Sequence, residues 1–140
     1  MDDKALVKEA FLARERAYAP YSGYMVGAAL LTKDGRIYHG CNIENAAYSP
    51  TNCAERTAFF SAISDGVREF EAIAVVGAHK DASQEAYTYF YPCGVCRQVM
   101  AEFCDPDSFR IITARSEDEF TVLTLGDLLP NGFSKKSLSY

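Results

Sequence analysis

The chain has 140 residues, 49% of them hydrophobic and 24% charged, which predicts one globular domain spanning residues 1–140. Its formal net charge of −5 argues against a general nucleic-acid binder. Because the sequence shows neither a secretion signal nor an apolar run of membrane-spanning length, we expect a cytoplasmic protein with no membrane partner.

Periodicity and turn residues predict an alternation of helices and strands. Helical spacing of apolar residues predicts three long helices, over residues 5–18, 52–64 and 94–103. Apolar and β-branched runs predict five strands, over residues 24–32, 36–41, 72–78, 110–114 and 120–125. A short helix is expected near Gly126, and Thr51 or Asn52 is expected to cap the second helix. The order predicts an α/β fold, a three-layer α/β/α sandwich with a five-stranded mixed sheet.

Two short cysteine motifs open the second and third long helices. Cys53 begins Cys-Ala-Glu-Arg, while Cys93 and Cys96 follow Pro92 in Pro-Cys-Gly-Val-Cys. A helix start lowers the pKa of a thiol through its exposed amides, which favours the thiolate that binds metal. Three thiolates hold a zinc ion and leave its fourth tetrahedral position for water, as in a catalytic site. The motifs therefore predict a zinc hydrolase.

A closed, structural zinc site is the alternative, and it requires a fourth protein ligand. The sequence offers four candidates for that ligand: Cys41, Cys104, His39 and His79. Burial as small apolar side chains explains the two cysteines more simply, so we favour the open site. A Cys-x-x-Cys pair is also typical of redox sites and of zinc ribbons, but a ribbon requires a second pair that this sequence lacks.

Charged residues beside the motifs suit such a site. Glu55 is placed to move the protons of water at the metal, although glutamate in a first helical turn is commonly only a partner for the helix dipole. Three thiolates on a divalent ion leave a charge of about −1. Arg56 and Arg97 are both candidates to offset it by hydrogen bonding to sulfur, and we favour Arg56.

Several motifs together resemble the cytidine deaminase family, in its small homotetrameric class with three cysteine ligands. The resemblance runs from about Ala5 to Phe133, nearly the whole chain. The segments that carry it are Tyr-Ala-Pro-Tyr-Ser at 18–22, Val-Gly-Ala-Ala-Leu at 26–30, Asn-Ile-Glu-Asn at 42–45, Cys-Ala-Glu-Arg at 53–56, Pro-Cys-Gly-Val-Cys-Arg-Gln at 92–98, and Leu-Pro at 129–130 before Phe133.

The resemblance implies a role for each matching residue. One zinc ion per chain would lie on Cys53, Cys93 and Cys96, with Glu55 as the proton shuttle and Arg56 beside the sulfurs. Contacts with a small nucleoside are implied for Asn42 and Glu44 at the ribose hydroxyls, for Tyr24 and Ala54 against the nucleoside, and for Tyr48 and Phe133 in a neighbouring subunit's pocket. The implied assembly is a homotetramer with shared active sites.

The activity implied by the resemblance is hydrolytic deamination of cytidine and deoxycytidine to uridine and deoxyuridine, with release of ammonia, in pyrimidine salvage. A deaminase of the nucleoside antibiotic blasticidin S is the nearest alternative, because it shares the cysteine motifs. A structural zinc module is the alternative from another class, and the acidic chain disfavours polynucleotide editing.

Two departures from the family are a long segment at 79–91 and tyrosine rather than phenylalanine at position 24. Residues 134–140 are expected to form a loosely held tail.

Overall fold

A computed structural model describes residues 1–139 of the protein. Its regular elements are α1 (Asp3–Arg14), β1 (Tyr24–Thr32), β2 (Ile37–Cys41), α2 (Ala54–Ser64), β3 (Phe70–His79), α3 (Gly94–Phe103), β4 (Arg110–Ala114), β5 (Phe120–Thr124) and α4 (Leu125–Leu128). Single turns of 3₁₀ helix lie at Gln84–Ala86 and Lys135–Leu138. The predicted order of helices and strands is confirmed. Within the described residues, no helix is both long and apolar enough to span a membrane.

The five strands form one mixed sheet in the order β2-β1-β3-β4-β5. Only β3 and β4 run parallel, and the other three neighbouring pairs are antiparallel. The central strand β3 is buried from Ala72 to Ala78, as its continuous apolar run predicts.

Helices cover both faces of this sheet, which confirms the three-layer α/β/α architecture. On one face, Leu6, Val7 and Ala10 of α1 pack against alternate residues of the central strands. On the other face, the core is formed by α2, α3 and α4, where Phe59 and Met100 are completely buried. Successive residues of a strand point to opposite faces, so the same strands serve both layers.

Two glycines allow helices to lie directly on the sheet. A Cβ atom at Gly27 would lie 2.2 Å from the carbonyl oxygen of Ala10 in α1. A Cβ atom at Gly40 would lie 2.1 Å from the carbonyl oxygen of Ala54, in the first turn of α2. Any larger residue at position 40 would displace α2. The position of the helix start that carries Cys53 therefore depends on this contact.

Tertiary contacts correct two predicted helix ends. The first helix ends at Arg14 rather than at residue 18, because the Tyr18 amide donates to the Asn42 carbonyl at 2.9 Å and pairs the chain with residue 43 instead. The second helix begins at Ala54 with Cys53 as its N-cap, not Thr51 or Asn52. The predicted tail contains the Lys135–Leu138 turn, and its last residue, Tyr140, lies outside the described residues.

Candidate active site

The two cysteine motifs meet at the N-termini of α2 and α3. Cys53 and Cys93 are the N-cap residues of these helices, and neither side chain caps its own helix. The Cys93 sulfur lies 3.8 Å from that of Cys53 and 3.6 Å from that of Cys96. A tetrahedral zinc ion with Zn–S bonds of about 2.3 Å separates its sulfurs by about 3.8 Å. The donor set and its spacing therefore fit one zinc ion per chain.

The alternative fourth ligands lie elsewhere. Among residues 1–139, the group of mutually close metal-ligating side chains consists of the three cysteines alone. His39 contacts Glu9 at 3.0 Å, and His79 lies 3.8 Å from Asp81. The Cys41 thiol lies 3.4 Å from the Arg16 carbonyl oxygen, and the Cys104 thiol packs against the core on the α3 side. The site is therefore open at the fourth position of a tetrahedral ion, as a catalytic site requires.

Glu55 is buried in the first turn of α2, with 1% of its surface exposed. Within the described chain, neither of its carboxylate oxygens has a hydrogen-bond partner. Burial, reinforced by the nearby Cys53 sulfur, raises the pKa of Glu55 to about 7. A carboxyl group with this pKa exchanges protons in both directions near neutral pH, which is the requirement for a general acid and base.

An arginine contacts the sulfur cluster, and it is Arg56. Its Nη2 atom donates to the Cys53 sulfur at 3.2 Å. The neighbouring Cys96 thiol, together with Arg56, lowers the pKa of Cys53, while hydrogen bonding to Cys53 and burial raise the pKa of Cys96. Cys53 thus carries negative charge more readily than Cys96 does. Arg97, the other candidate, donates instead to backbone carbonyl oxygens.

Glu44 lies in an open cavity of about 380 Å³, lined by Tyr21, Ser22, Glu44, Tyr48 and Thr51. Its carboxylate accepts hydrogen bonds from the amides of Tyr21 and Ser22 at 3.0 and 3.1 Å, and from the Ser22 hydroxyl. The Ser22 hydrogen bonds lower the pKa of Glu44 from its ordinary value of 4.5. The carboxylate is therefore held in place and kept charged where it faces the cavity.

Asn42 and Tyr24 use their polar atoms within the fold. The Asn42 amide accepts from the Val26 amide at 2.9 Å and donates to the Tyr24 carbonyl oxygen at 2.7 Å, which leaves one N–H and one lone pair of that side chain. The Tyr24 hydroxyl donates to the Gly77 carbonyl oxygen at 3.2 Å, and its ring packs against Phe90 with 6.1 Å between centroids. The long segment at 79–91 thus reaches the ring at position 24.

The remaining predicted contact residues, Ala54, Tyr48 and Phe133, differ in their exposure to solvent. Ala54 is fully buried, with 0% of its surface exposed in the single chain. Tyr48 is 73% exposed and Phe133 is 59% exposed, which is unusual for large aromatic side chains. Tyr48 also has a positive φ of 61°, which is rare for a residue other than glycine.

The roles of Tyr21 and Ser22 beside Glu44 were missed by sequence reasoning. Tyr21 and Ser22 appear in the sequence only as the end of a motif, and the motif does not reveal that they hold the carboxylate of Glu44, which lies 23 and 22 residues further on. The isolated bridge between Tyr18 and Ile43 brings the two segments together. A serine hydroxyl followed two residues later by a strand was the available signal, and it is too common to be specific.

The fold and the site define a zinc-dependent deaminase: an open three-thiol cluster at two helix starts, and a buried carboxylate two residues from one ligand. A family model described as "Cytidine and deoxycytidylate deaminase zinc-binding region" matches residues 1–111. The chain belongs to this family.

Curated relatives and solved structures agree with that assignment. A cytidine deaminase of Sporosarcina psychrophila is 54% identical over 140 residues, covering 100% of this chain and 97% of the relative. A cytidine deaminase of Halalkalibacterium halodurans is 48% identical, covering 99% of each chain. The crystal structure of a cytidine deaminase from Burkholderia pseudomallei superposes with a TM-score of 0.85 at 49% identity, covering 95% of this chain and 100% of that one. The fold agrees with the one expected from the motifs.

Proposed function

We propose that this protein is a zinc-dependent deaminase that hydrolyses cytidine and deoxycytidine to uridine and deoxyuridine with release of ammonia, in pyrimidine salvage. The observation that carries the proposal is the buried Glu55 carboxylate, without a partner in the described chain, two residues from the Cys53 ligand. A structural zinc module has no use for such a group, because burying an unpaired carboxyl costs free energy.

The proposed mechanism depends on two proton transfers by Glu55. When bound to the three sulfurs, zinc supplies a Lewis acid that makes water nucleophilic near neutral pH. Glu55 accepts a proton from the water that attacks C4 of the pyrimidine and delivers it to N3. It then accepts the second proton of that water and delivers it to the amino group, which leaves as ammonia. Burial raises the pKa of Glu55 above that of an ordinary carboxyl group, which helps it to take up and return each proton.

Glu44 and Asn42 are proposed to bind the sugar. A carboxylate that accepts three hydrogen bonds, from the Tyr21 and Ser22 amides and the Ser22 hydroxyl, keeps about one lone pair for a ribose hydroxyl, and it faces an open cavity of about 380 Å³. Asn42, which is 9% exposed, keeps one N–H for the same purpose. A site that hydrogen-bonds hydroxyls strongly rejects a ligand that lacks them, so free cytosine should not be turned over.

The assembly is proposed to be a homotetramer in which Tyr48 and Phe133 complete a neighbouring pocket. The exposed rings of both residues, and the place of Tyr48 in the lining of the open cavity, support this arrangement. Mixing the variants Glu55→Gln and Tyr48→Ala, each expected to be impaired, should raise activity above that of either variant alone if pockets are shared, because mixed assemblies contain some sites with both native residues. If mixing under subunit exchange yields no gain over either variant, each site is built within one chain.

We also propose a cytoplasmic location and a single deaminase domain over residues 1–140. A site of three free thiols suits a reducing compartment, since oxidation would join or modify them. One sheet with helices on both faces contains all of the regular elements in the described residues except the two 3₁₀ turns, which supports a single domain.

Absorbance of the zinc-loaded protein with four compounds tests the substrate class. We expect loss of the cytidine and deoxycytidine bands, with free cytosine unchanged. Turnover of blasticidin S alone would place the chain nearer to the blasticidin-S deaminase of Bacillus cereus, which is 32% identical over 79% of this chain. If no compound reacts while one zinc ion per chain is present, the proposed activity is wrong.

A further inference from the structure

Arg97 follows the zinc ligand Cys96 in α3, but it points away from the sulfurs. Its Nε atom donates to the Pro92 carbonyl oxygen at 2.7 Å, and its Nη1 atom donates to the Leu128 carbonyl oxygen at 2.6 Å. One guanidinium group thus joins two backbone segments that are thirty-six residues apart in the sequence. Only arginine offers two donors in a rigid, planar arrangement of this width.

Both carbonyl groups stand at places that matter for the site. Pro92 is buried and directly precedes Cys93, so its carbonyl helps to define how the second ligand enters α3. Leu128 is the last residue of α4, and the carbonyl groups at a helix end have no partner within the helix. Arg97 therefore fastens the backbone next to a zinc ligand to the end of α4.

The next residue makes a parallel contact further along the same segment. The Gln98 side-chain amide donates to the Phe133 carbonyl oxygen at 2.8 Å. Phe133 has an exposed ring and is the C-terminal residue assigned to a nucleoside pocket under the proposed function. Two consecutive side chains of α3 thus hold the chain from Leu128 to Phe133.

We propose that Arg97 and Gln98 are positioning residues that couple the second half of the zinc site to the C-terminal segment carrying Phe133. Arg97 acts on both ends of this connection, because it holds the Cys93 turn and α4 together. Gln98 acts only on the Phe133 end. The Gln98 part rests on the proposed function, whereas the effect of Arg97 on zinc retention does not.

Zinc transfer to a chromogenic chelator, 4-(2-pyridylazo)resorcinol, tests the Arg97 part on the zinc-loaded protein. Arg97→Lys keeps the positive charge but cannot reach both carbonyl groups, and we expect zinc transfer to become about tenfold faster. Gln98→Glu removes the amide donor with little change in shape, and it should leave zinc transfer unchanged. Arg68→Lys is the matched control, because Arg68 also donates to two carbonyl oxygens, those of Ile63 and Val67, at the other end of α2.

Steady-state kinetics with cytidine supply the second readout. Both Arg97→Lys and Gln98→Glu should raise KM about threefold to tenfold, with a smaller change in kcat, because a misplaced aromatic ring weakens binding of the substrate. Arg68→Lys should change neither KM nor zinc transfer by more than its effect on thermal stability explains.

Two results would overturn the proposal. If Arg97→Lys and Arg68→Lys release zinc at equal rates, Arg97 has only a general structural role. If Gln98→Glu leaves KM unchanged, or accelerates zinc transfer as much as Arg97→Lys does, the division of roles is wrong. Should the wild type deaminate no nucleoside, the proposed function fails together with the Gln98 part, while zinc transfer still decides the role of Arg97.

Discussion

The zinc cluster and the cavity at Glu44 are built in different ways. In the cluster, two ligands lie within one turn of α3, and the third lies at the start of α2 next to the buried Glu55. The cavity is lined by side chains from irregular segments, and Tyr48 at its edge is largely exposed. The three-sulfur cluster with its buried carboxylate is thus complete within one chain, while the cavity at Glu44 is open to solvent.

This difference has a physical origin in the two kinds of backbone. Helix starts hold cysteine side chains at set positions and favour thiolates, so a short motif is enough to define metal geometry. Irregular segments hold their shape through long-range hydrogen bonds, such as those from Tyr21 and Ser22 to Glu44. Changes in the first region should therefore affect chemistry and zinc, and changes in the second should affect substrate binding.

Removal of a ligand should have the largest effect. Cys53→Ala leaves two sulfurs, which cannot retain zinc under dialysis, and activity should fall below detection. Zinc content measured by atomic absorption alongside turnover checks this result. Cys104→Ala is the matched control, since its thiol lies outside the cluster and burial raises its pKa to about 12. Loss of zinc from both variants would mean that overall stability, not ligation, governs metal content.

Glu55→Gln should have the next largest effect and should separate chemistry from binding. The amide keeps the shape of the side chain but cannot accept and return a proton, so kcat should fall by about a thousandfold or more. Zinc content and KM should stay within a few fold of the wild type. Normal turnover in this variant would remove Glu55 from the mechanism.

Arg56→Gln should weaken zinc binding by about tenfold to a hundredfold. The guanidinium donates to the Cys53 sulfur and helps to lower the pKa of that thiol. Without it the pKa of Cys53 rises, protons compete better with zinc, and the loss of affinity should grow as the pH falls. Competition with a chelator at several pH values measures the effect, with Arg68→Gln as the control. An equal loss at every pH would show that the arginine does not act through the pKa of Cys53.

Ser22→Ala should have the smallest effect, and it should change substrate binding alone. Ser22 keeps the pKa of Glu44 below its ordinary value of 4.5, so the wild-type carboxylate stays charged as the pH falls through that value. In the variant the pKa of Glu44 rises, and protonation begins at a higher pH. The increase of KM for cytidine in acid should therefore start at higher pH than in the wild type, while kcat is unaffected. Kinetics between about pH 4 and 6 provide the measurement. If KM depends on pH in the same way in the variant and the wild type, Glu44 does not bind the sugar.

The predicted elements that matched best are those with strong local signals. The run at 72–78 is continuous and apolar, and it forms a strand buried on both faces. The first helix was predicted too long because the apolar spacing continues to Tyr18, where pairing with the segment at Ile43 replaces the helix. The spacing of apolar residues cannot reveal such a pairing, since it reflects only neighbouring residues and the partner lies more than twenty residues away.

The sequence alone determined the order of helices and strands, the Cys93–Cys96 pair, and the carboxylate two residues from Cys53, because each depends on spacing within a helix turn or a strand. The tertiary structure decided which arginine contacts sulfur, since Arg56 and Arg97 each follow a key residue of their motif but face different neighbours. It also decided that Ser22 holds Glu44 and that glycine at position 40 allows α2 onto the sheet. The contacts of Arg97 with Leu128, of Ser22 with Glu44 and of Gly40 with α2 join segments distant in the chain, and their geometry exists only after the layers have packed.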